Sequence, residues 1–196
     1  MFDSTNLVLM MCTGTLTQQY DPVGRLMYLL EPFLLLVALQ SVLASFIPLK
    51  SCTVSYQTPQ YTCDQARDLV TNQKTNGWHW SNTAPSWVEF VLEWPSTLST
   101  VIIHSGFNKD FTIRTFRIEL HSNGQWMNIE DVTVKNAPAA EVAEDGTVGL
   151  VSDKPVAEVK FKQVQDVSIL RLSISKTSQP NGGNNAVVNE VLVPCK

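Results

Sequence analysis

From about Cys52 onward the sequence predicts an all-β protein, a β-sandwich or jelly roll of two packed antiparallel sheets. Three observations carry this. Apolar and polar residues alternate with period two in several short runs. Turn dipeptides separate those runs. Helical periodicity is confined to Asp64–Val70, about two turns. Successive side chains of a strand point to opposite faces, so a strand with one buried face alternates. Many short strands with turn signals between them suit a sandwich.

The elements follow in order. Trp87–Leu92 is strand-like. Val101, Ile102 and Ile103 form a continuous apolar run, expected of a strand covered on both faces. Phe116, Ile118 and Leu120 alternate with Thr115, Arg117 and Glu119. Asn123-Gly124, between Leu120 and Trp126, is a hairpin signal, because both residues accept the positive φ of a tight turn; Asp145-Gly146 is another. Val159 and Phe161 alternate with Glu158 and Lys160, and Leu170, Leu172 and Ile174 with Arg171 and Ser173. The run Ile169–Ile174 and the closing run Asn189–Cys195 pair with the earlier Trp87–Leu92. The chain shows no internal repeat and no low-complexity linker.

The 196 residues allow one ordinary domain with an N-terminal addition. Phe33–Leu43 is as long as a secretory h-region and short of the ~20 apolar residues that a membrane span needs. Small residues around Ala44 predict signal-peptide cleavage after it. Residues 1–44 are therefore read as a leader with its h-region at about 33–43, and 45–196 as the folded, secreted part. Met27 is an alternative start, and an uncleaved anchor is the alternative to cleavage.

Removing Arg25, Asp3, Asp21 and Glu31 from whole-chain counts of 14 basic and 18 acidic residues leaves 13 and 15, a net charge of −2. With no basic tract and no arginines interleaved with aromatics, nucleic acid is not an expected partner. Purely electrostatic attraction to acidic lipid is unsupported for the same reason. Cys12 would leave with the leader, so Cys52, Cys63 and Cys195 remain, an odd number. A Cys52–Cys195 bond would close nearly the whole folded part and stabilise it by about 4–5 kcal/mol. Cys63 would then be buried and inert, or bonded to a second copy in a homodimer. The local alternative, Cys52–Cys63, leaves Cys195 over. No Asn-x-Ser/Thr sequon is present, so N-glycosylation is not expected.

The order of motifs carries a resemblance. Asn76-Gly77 precedes a Trp-rich loop; Trp87–Leu92 and Val101–Gly106 follow; then come Phe116–Trp126, Leu170–Ile174 and Val188–Val193. Over about residues 52–196 this resembles the discoidin domain, or coagulation-factor type C domain, of the galactose-binding-like superfamily. The chain departs from the family pattern at Asn76, where Asp is usual. It departs again at Glu93-Trp94-Pro95, where a Gly usually follows the Trp-led strand, and over 137–153. The resemblance implies an eight-stranded jelly roll with its terminal cysteines, Cys52 and Cys195, bonded. It also implies a ligand site among loops at one pole, used in the family for sugars, lipid head groups or collagen-like peptides.

Three loops should reach that pole: Thr75–Trp80, Gly106–Phe111 and Gln179–Asn185. Trp78 and Trp80 flank His79, so in an extended loop both indoles point to one side and His79 to the other. Aromatic faces stack on the C–H face of a sugar or wedge into a membrane interface; the alternative is that an indole plugs the end of the sandwich. Asn108, Lys109 and Asp110 can hydrogen-bond to hydroxyls, and Arg114 can supply charge-assisted donors at the same rim. Glu190 matches the last-strand Glu that carbohydrate-binding relatives use for a structural calcium, although the usual Asp of the first loop is absent and calcium takes six to eight oxygens. Otherwise Glu190 bonds loop backbone.

Catalysis is not expected. His79, His104 and His121 fall in separate segments, no nucleophile or zinc motif occurs, and Glu89, Glu93 and Glu119 read as solvated strand residues. The expectation is a secreted, lectin-like or adhesion module for cell-surface or extracellular glycans. Its ligand residues would be Trp78, His79, Trp80, Asn108, Lys109, Asp110 and Arg114. Phospholipid or receptor binding by the same loops, and a structural domain that binds nothing, are the alternatives.

Overall fold

The structure is a computed structural model describing residues 46–69, 77–80, 86–106, 112–135, 140–150, 156–177 and 186–195. The expected leader, with its apolar run at 33–43, lies outside these residues. The chain divides into two units, Met1–Ile47 with Pro194–Lys196, and Pro48–Val193. In the first, Phe46 and Pro194 form an antiparallel bridge, and Cys195 is disulfide-bonded. The second is described below.

It contains ten strands among the described residues: β1 (Leu49–Val54), β2 (Trp78–Trp80), β3 (Ser86–Ser105), β4 (Ile113–Ser122), β5 (Gln125–Asn128), β6 (Thr133–Lys135), β7 (Glu141–Val142), β8 (Val148–Gly149), β9 (Val156–Thr177) and β10 (Ala186–Leu192). All pair antiparallel along the path β2-β10-β3-β9-β4-β8-β7, with β1 on β3, β5 on β4 and β6 on β9.

The two long strands make the sandwich. β3 and β9 run side by side from Ser86↔Ile174 to His104↔Val156. The first half of β3 takes β1 as its other neighbour, through Val54↔Val88 and Leu49↔Leu92. Its second half takes β10, through Leu192↔Ile102 and Val188↔Ser105. Likewise the second half of β9 pairs with β4 and the first half with β6. Each long strand therefore belongs to both layers and turns a corner between them. At the corner β3 advances from Val91 to Ser96 while β9 goes only from Ile169 to Val167; β9 then supplies the excess between Leu98↔Val164 and Thr100↔Lys160. Pro95, which has no N–H for a ladder, sits in the β3 bulge. Asp166 supports the β9 bulge at φ 52°.

The alternating residues fill the space between the layers. Val88, Phe90 and Leu92, Phe116, Ile118 and Leu120, Val159 and Phe161, and Leu170, Leu172 and Ile174 are all buried, as their period predicts. Each such side chain contributes about 1.5–3 kcal/mol of burial free energy. Trp87 pairs with Ser173 and Phe90 with Leu170, as expected for Ile169–Ile174; the closing run does not join them, because β1 takes the other edge of Val88–Leu92 and Val191 and Leu192 pair with Ile103 and Ile102 instead. Asn123 (φ 50°) and Gly124 (φ 79°) make the β4–β5 turn. The Asp145-Gly146 turn joins β7 to β8, with Ala143 N–H donating to Thr147 O at 2.9 Å.

Three expectations are corrected. Val101 and Ile103 are buried but Ile102 is half-exposed, so this run alternates and is covered on one face. The expected two-turn helix is a single 3-10 turn, Cys63–Ala66, after which Leu69 takes a positive φ of 66°. Cys52 bonds Cys63, with their Cα atoms 6.0 Å apart, and not Cys195. β1 and the 3-10 turn lie against each other, which brings these two sulfurs together. Cys63 is thus not spare for a homodimer, and no described cysteine is free.

With a sequence separation of 11, this disulfide closes a short loop worth about 3 kcal/mol in the chain-entropy model, less than the long closure would give. The Cys52→Ser/Cys63→Ser double variant is expected to lose about 2–3 kcal/mol in urea denaturation. A midpoint equal to that of the unaltered protein would show that the crosslink does not constrain the unfolded chain.

Candidate functional site

The strand ends that carry the three expected loops meet at one end of the sandwich. Val187 of β10 pairs with His79 of β2, and its carbonyl accepts from Gly106 N–H at 2.8 Å. Ser105 Oγ, at the end of β3, accepts from Ile113 N–H at 2.8 Å and so clamps the base of the 106–112 loop. Ile113 at the start of β4 pairs with Thr177 at the end of β9, from which the 178–185 segment departs. Leu150 N–H donates to Arg114 O at 2.6 Å and ties the end of the β7–β8 stretch to β4. This end is a rim built from β2, β3, β4, β9 and β10.

The expected ligand residues divide into three groups there. Asn108, Lys109 and Asp110 lie outside the described residues, as do the side chains of His79 and Trp80; the backbones of His79 and Trp80 are paired with Val187 and Ala186. Arg114 is half-buried, and its Nη1 makes a long 3.5 Å contact with Leu150 O, so at least part of its guanidinium serves the β4–β8 edge. Trp78 is a correction. It is 0% exposed, in a strand and not a loop, and its Nε1–H donates to Tyr56 O at 2.9 Å. An indole with no accessible face cannot stack on a ligand, so Trp78 plugs the sandwich. Gly77 allows that strand to lie close to β10: a Cβ there would come within 2.7 Å of Val188 O.

Glu190 is also 0% exposed, opposite His104 in the β10–β3 register. Burial lowers the His104 pKa, which favours the neutral imidazole. No group of three or more His, Cys, Asp or Glu side chains suited to a metal occurs among the described residues. Residues 75 and 76 of the first loop, beneath which Glu190 was expected to help hold a calcium, lie outside the described residues.

On the outer face of the β1-β3-β9-β4-β5 layer Glu89 and Glu119, expected to be solvated, are instead largely covered and ion-paired to Arg171. Arg171 lies between two indoles, its Cζ 3.9 Å from the Trp126 ring centre and 5.7 Å from that of Trp87. Its Nε–H donates to Glu89 Oε1 at 2.8 Å, and Glu119 is 3.8 Å away. Ser173 Oγ–H donates to Glu119 at 3.0 Å. The His121 ring meets Trp126 edge-on at 5.3 Å. The signal in the sequence is that Trp87, Arg171, Glu119 and Trp126 all sit at outward positions. Their meeting depends on the register, which period two alone does not fix. His121 is near the hairpin end of β4 and His104 near the rim end of β3, so these two histidines do not converge.

No protein-family model and no curated protein matches this chain. Solved structures do. The family 32 carbohydrate-binding module of C. perfringens NanJ, in complex with galactose, is 19% identical, with a TM-score of 0.56 over 76% of this chain and 98% of that one. A pectin-binding carbohydrate-binding module is 17% identical, with a TM-score of 0.55 over 75% and 91%. The F5/8 type C domain of a Bacteroides fragilis protein is 16% identical, with a TM-score of 0.52 over 74% and 91%. The chain also matches SpGH29, of which it spans 27% of the length. These likenesses show the fold, a jelly-roll β-sandwich like that of these carbohydrate-binding modules and of the F5/8 type C domain.

Proposed function

We propose that the chain is a secreted, non-catalytic module that binds glycans of cell surfaces or the extracellular matrix through the loops of the rim. The observation that carries this is the convergence of β2 with the strand ends that flank residues 107–111 and 178–185 at one end of the jelly roll. The similar folds include modules described as holding galactose and binding pectin, which supports a sugar over other ligands. With Trp78 committed to the core, stacking is assigned to Trp80, which shares Trp78's side of β2 but ends that strand at the rim, opposite Ala186 where β10 begins; hydrogen bonding is assigned to His79, Asn108, Lys109, Asp110 and Arg114. A single shallow site of this kind binds weakly, so adhesion would rely on several sites acting together.

The test is a glycan array probed with the purified chain, with calcium and with chelator, beside phosphatidylserine vesicles. Saturable glycan binding is expected. It should weaken by about tenfold or more in Trp80→Ala, the loss of one stacked face. Binding to vesicles alone would replace this reading with a membrane one. Glycan binding untouched by Trp80→Ala and by Asn108→Ala/Asp110→Ala would remove the rim as its site.

A further inference from the structure

At the other end of β4, away from the rim, the β4–β5 hairpin and the β9 bulge enclose an open cleft of about 330 Å³. Its origin is the corner in the long strands. The extra residues of β9 between Val164 and Lys160 stand out from the ladder, facing the hairpin across a gap. The walls are tied in place. Ser122 Oγ–H donates to Gln165 O at 2.7 Å, and Asn123 Nδ2–H donates to Ser122 Oγ at 3.3 Å. Lys162 N–H donates to Glu130 O at 2.8 Å, while its Nζ holds Glu130 Oε2 at 2.9 Å.

The lining has an unusual chemistry. Asn123, Asn128, Gln163 and Gln165 bring four side-chain amides, each with an acceptor and two donors. Glu130 and Lys162 add an acceptor and a donor and cancel in charge, so the cleft attracts neither anions nor cations strongly. Met127, a large apolar side chain left 42% exposed, forms one wall. Its volume is at the lower end of the range for small-molecule sites, about 300–1,000 Å³. A neutral pyranose has the matching character. Each hydroxyl both donates and accepts, as an amide does. Two neighbouring hydroxyls can address an acceptor and a donor held 2.9 Å apart, as Glu130 and Lys162 are. One ring face carries C–H groups suited to a polarisable methionine.

We propose that this cleft is a second sugar site, taking one neutral pyranose residue between Met127 and the amides of Asn128 and Gln165. It is built from β4, β5 and β9 without the rim loops, so it stands or falls independently of the rim. A chain with a site at each end can bridge two glycans, or hold two points of one long polymer.

The experiment is an amide NMR titration of the whole chain with methyl β-galactopyranoside and methyl β-glucopyranoside. At least one glycoside should cause saturable shifts in the side-chain amides of Asn128 and Gln165 and in the backbone of 122–130 and 162–165. In Asn128→Ala/Gln165→Ala these shifts should weaken by about tenfold, the loss of two hydrogen bonds. Met127→Lys, which charges the apolar wall, should weaken them as well. Both variants alter exposed side chains, and an unchanged amide spectrum elsewhere will show that the fold is kept. Trp80→Ala should leave the cleft shifts as they are. The proposal is overturned if neither glycoside moves the cleft amides at tens of millimolar. It is equally overturned if shifts are confined to the rim, or if the double variant binds as the unaltered chain does.

Discussion

Trp78→Ala is expected to cost about 3–5 kcal/mol of unfolding free energy, the range for a buried aromatic cut to a methyl group. The Trp78 side chain is wholly buried, and its indole N–H satisfies Tyr56 O. Alanine removes the packing and leaves that carbonyl to find another donor. A lowering of the thermal midpoint by about 10 °C or more follows for a domain of this size. Trp78→Phe separates the two contributions, because it retains much of the ring packing and loses only the N–H; it should cost about 1–3 kcal/mol. The same pair of variants distinguishes plug from platform. A plug predicts that the folded fraction of Trp78→Phe binds glycan as the unaltered chain does. If Trp78→Ala unfolds at the unaltered midpoint, the indole is not the core residue described above.

The disulfide and this indole belong to one device. Segment 55–62 leaves β1, carries the Tyr56 carbonyl over Trp78, and returns at Cys63. Ser55 N–H donates to Trp87 O at 3.0 Å, and Gln57 Oε1 accepts from Cys63 N–H at 3.1 Å, so both ends of the segment are pinned. The outer lid of the β2–β10 edge is therefore held by a crosslink and side-chain bonds, with little regular structure of its own.

The alternation of Phe116, Ile118 and Leu120 made the core legible in the sequence, since period two names the buried face of a strand before its partner is known. The Asn123-Gly124 turn was legible because its chemistry is local. Trp78 was not. Its spacing from Trp80 places both on one side of a strand but does not say whether that side is core or solvent. The deciding contacts are with β10 and with Tyr56, 22 residues away. Three cysteines admitted more than one pairing, and the resemblance favoured the long one; the packing of β1 against the 3-10 turn chose the short one. The cleft was hidden for a related reason. It arises where β3 and β9 carry unequal numbers of residues around the corner, and a bulge appears in the sequence only as a lapse in alternation. The rim was legible as composition and order, but which of its side chains meet a ligand depends on loop residues 107–111 and 178–185, outside those described.

Gly77→Ala is expected to have an effect nearly as large as that of Trp78→Ala, by a different cause. Gly77 sits at φ +141°, where a side chain is strained, and a Cβ would come within 2.7 Å of Val188 O, 2.9 Å of Val187 Cγ1 and 3.0 Å of Asn189 Cα. Two of these three atoms are backbone of a buried strand and cannot swing aside. Backbone strain and forced overpacking each cost about 1–3 kcal/mol, so a total of roughly 3 kcal/mol is expected. Gly124→Ala is the control. Gly124 has φ +79° but nothing within 4 Å of its Cβ, so it should lose only about 1–2 kcal/mol for the left-handed backbone. The difference between the two variants in urea denaturation isolates the collision with β10, and equal losses would refute it. The collision has a functional side as well. β2 can relieve it only by moving off β10, and β10 sets Gly106 through Val187 O. Gly77→Ala should therefore raise amide exchange at Gly106 and His79 and weaken glycan binding at the rim, while the β4–β5 hairpin and its cleft keep their protection.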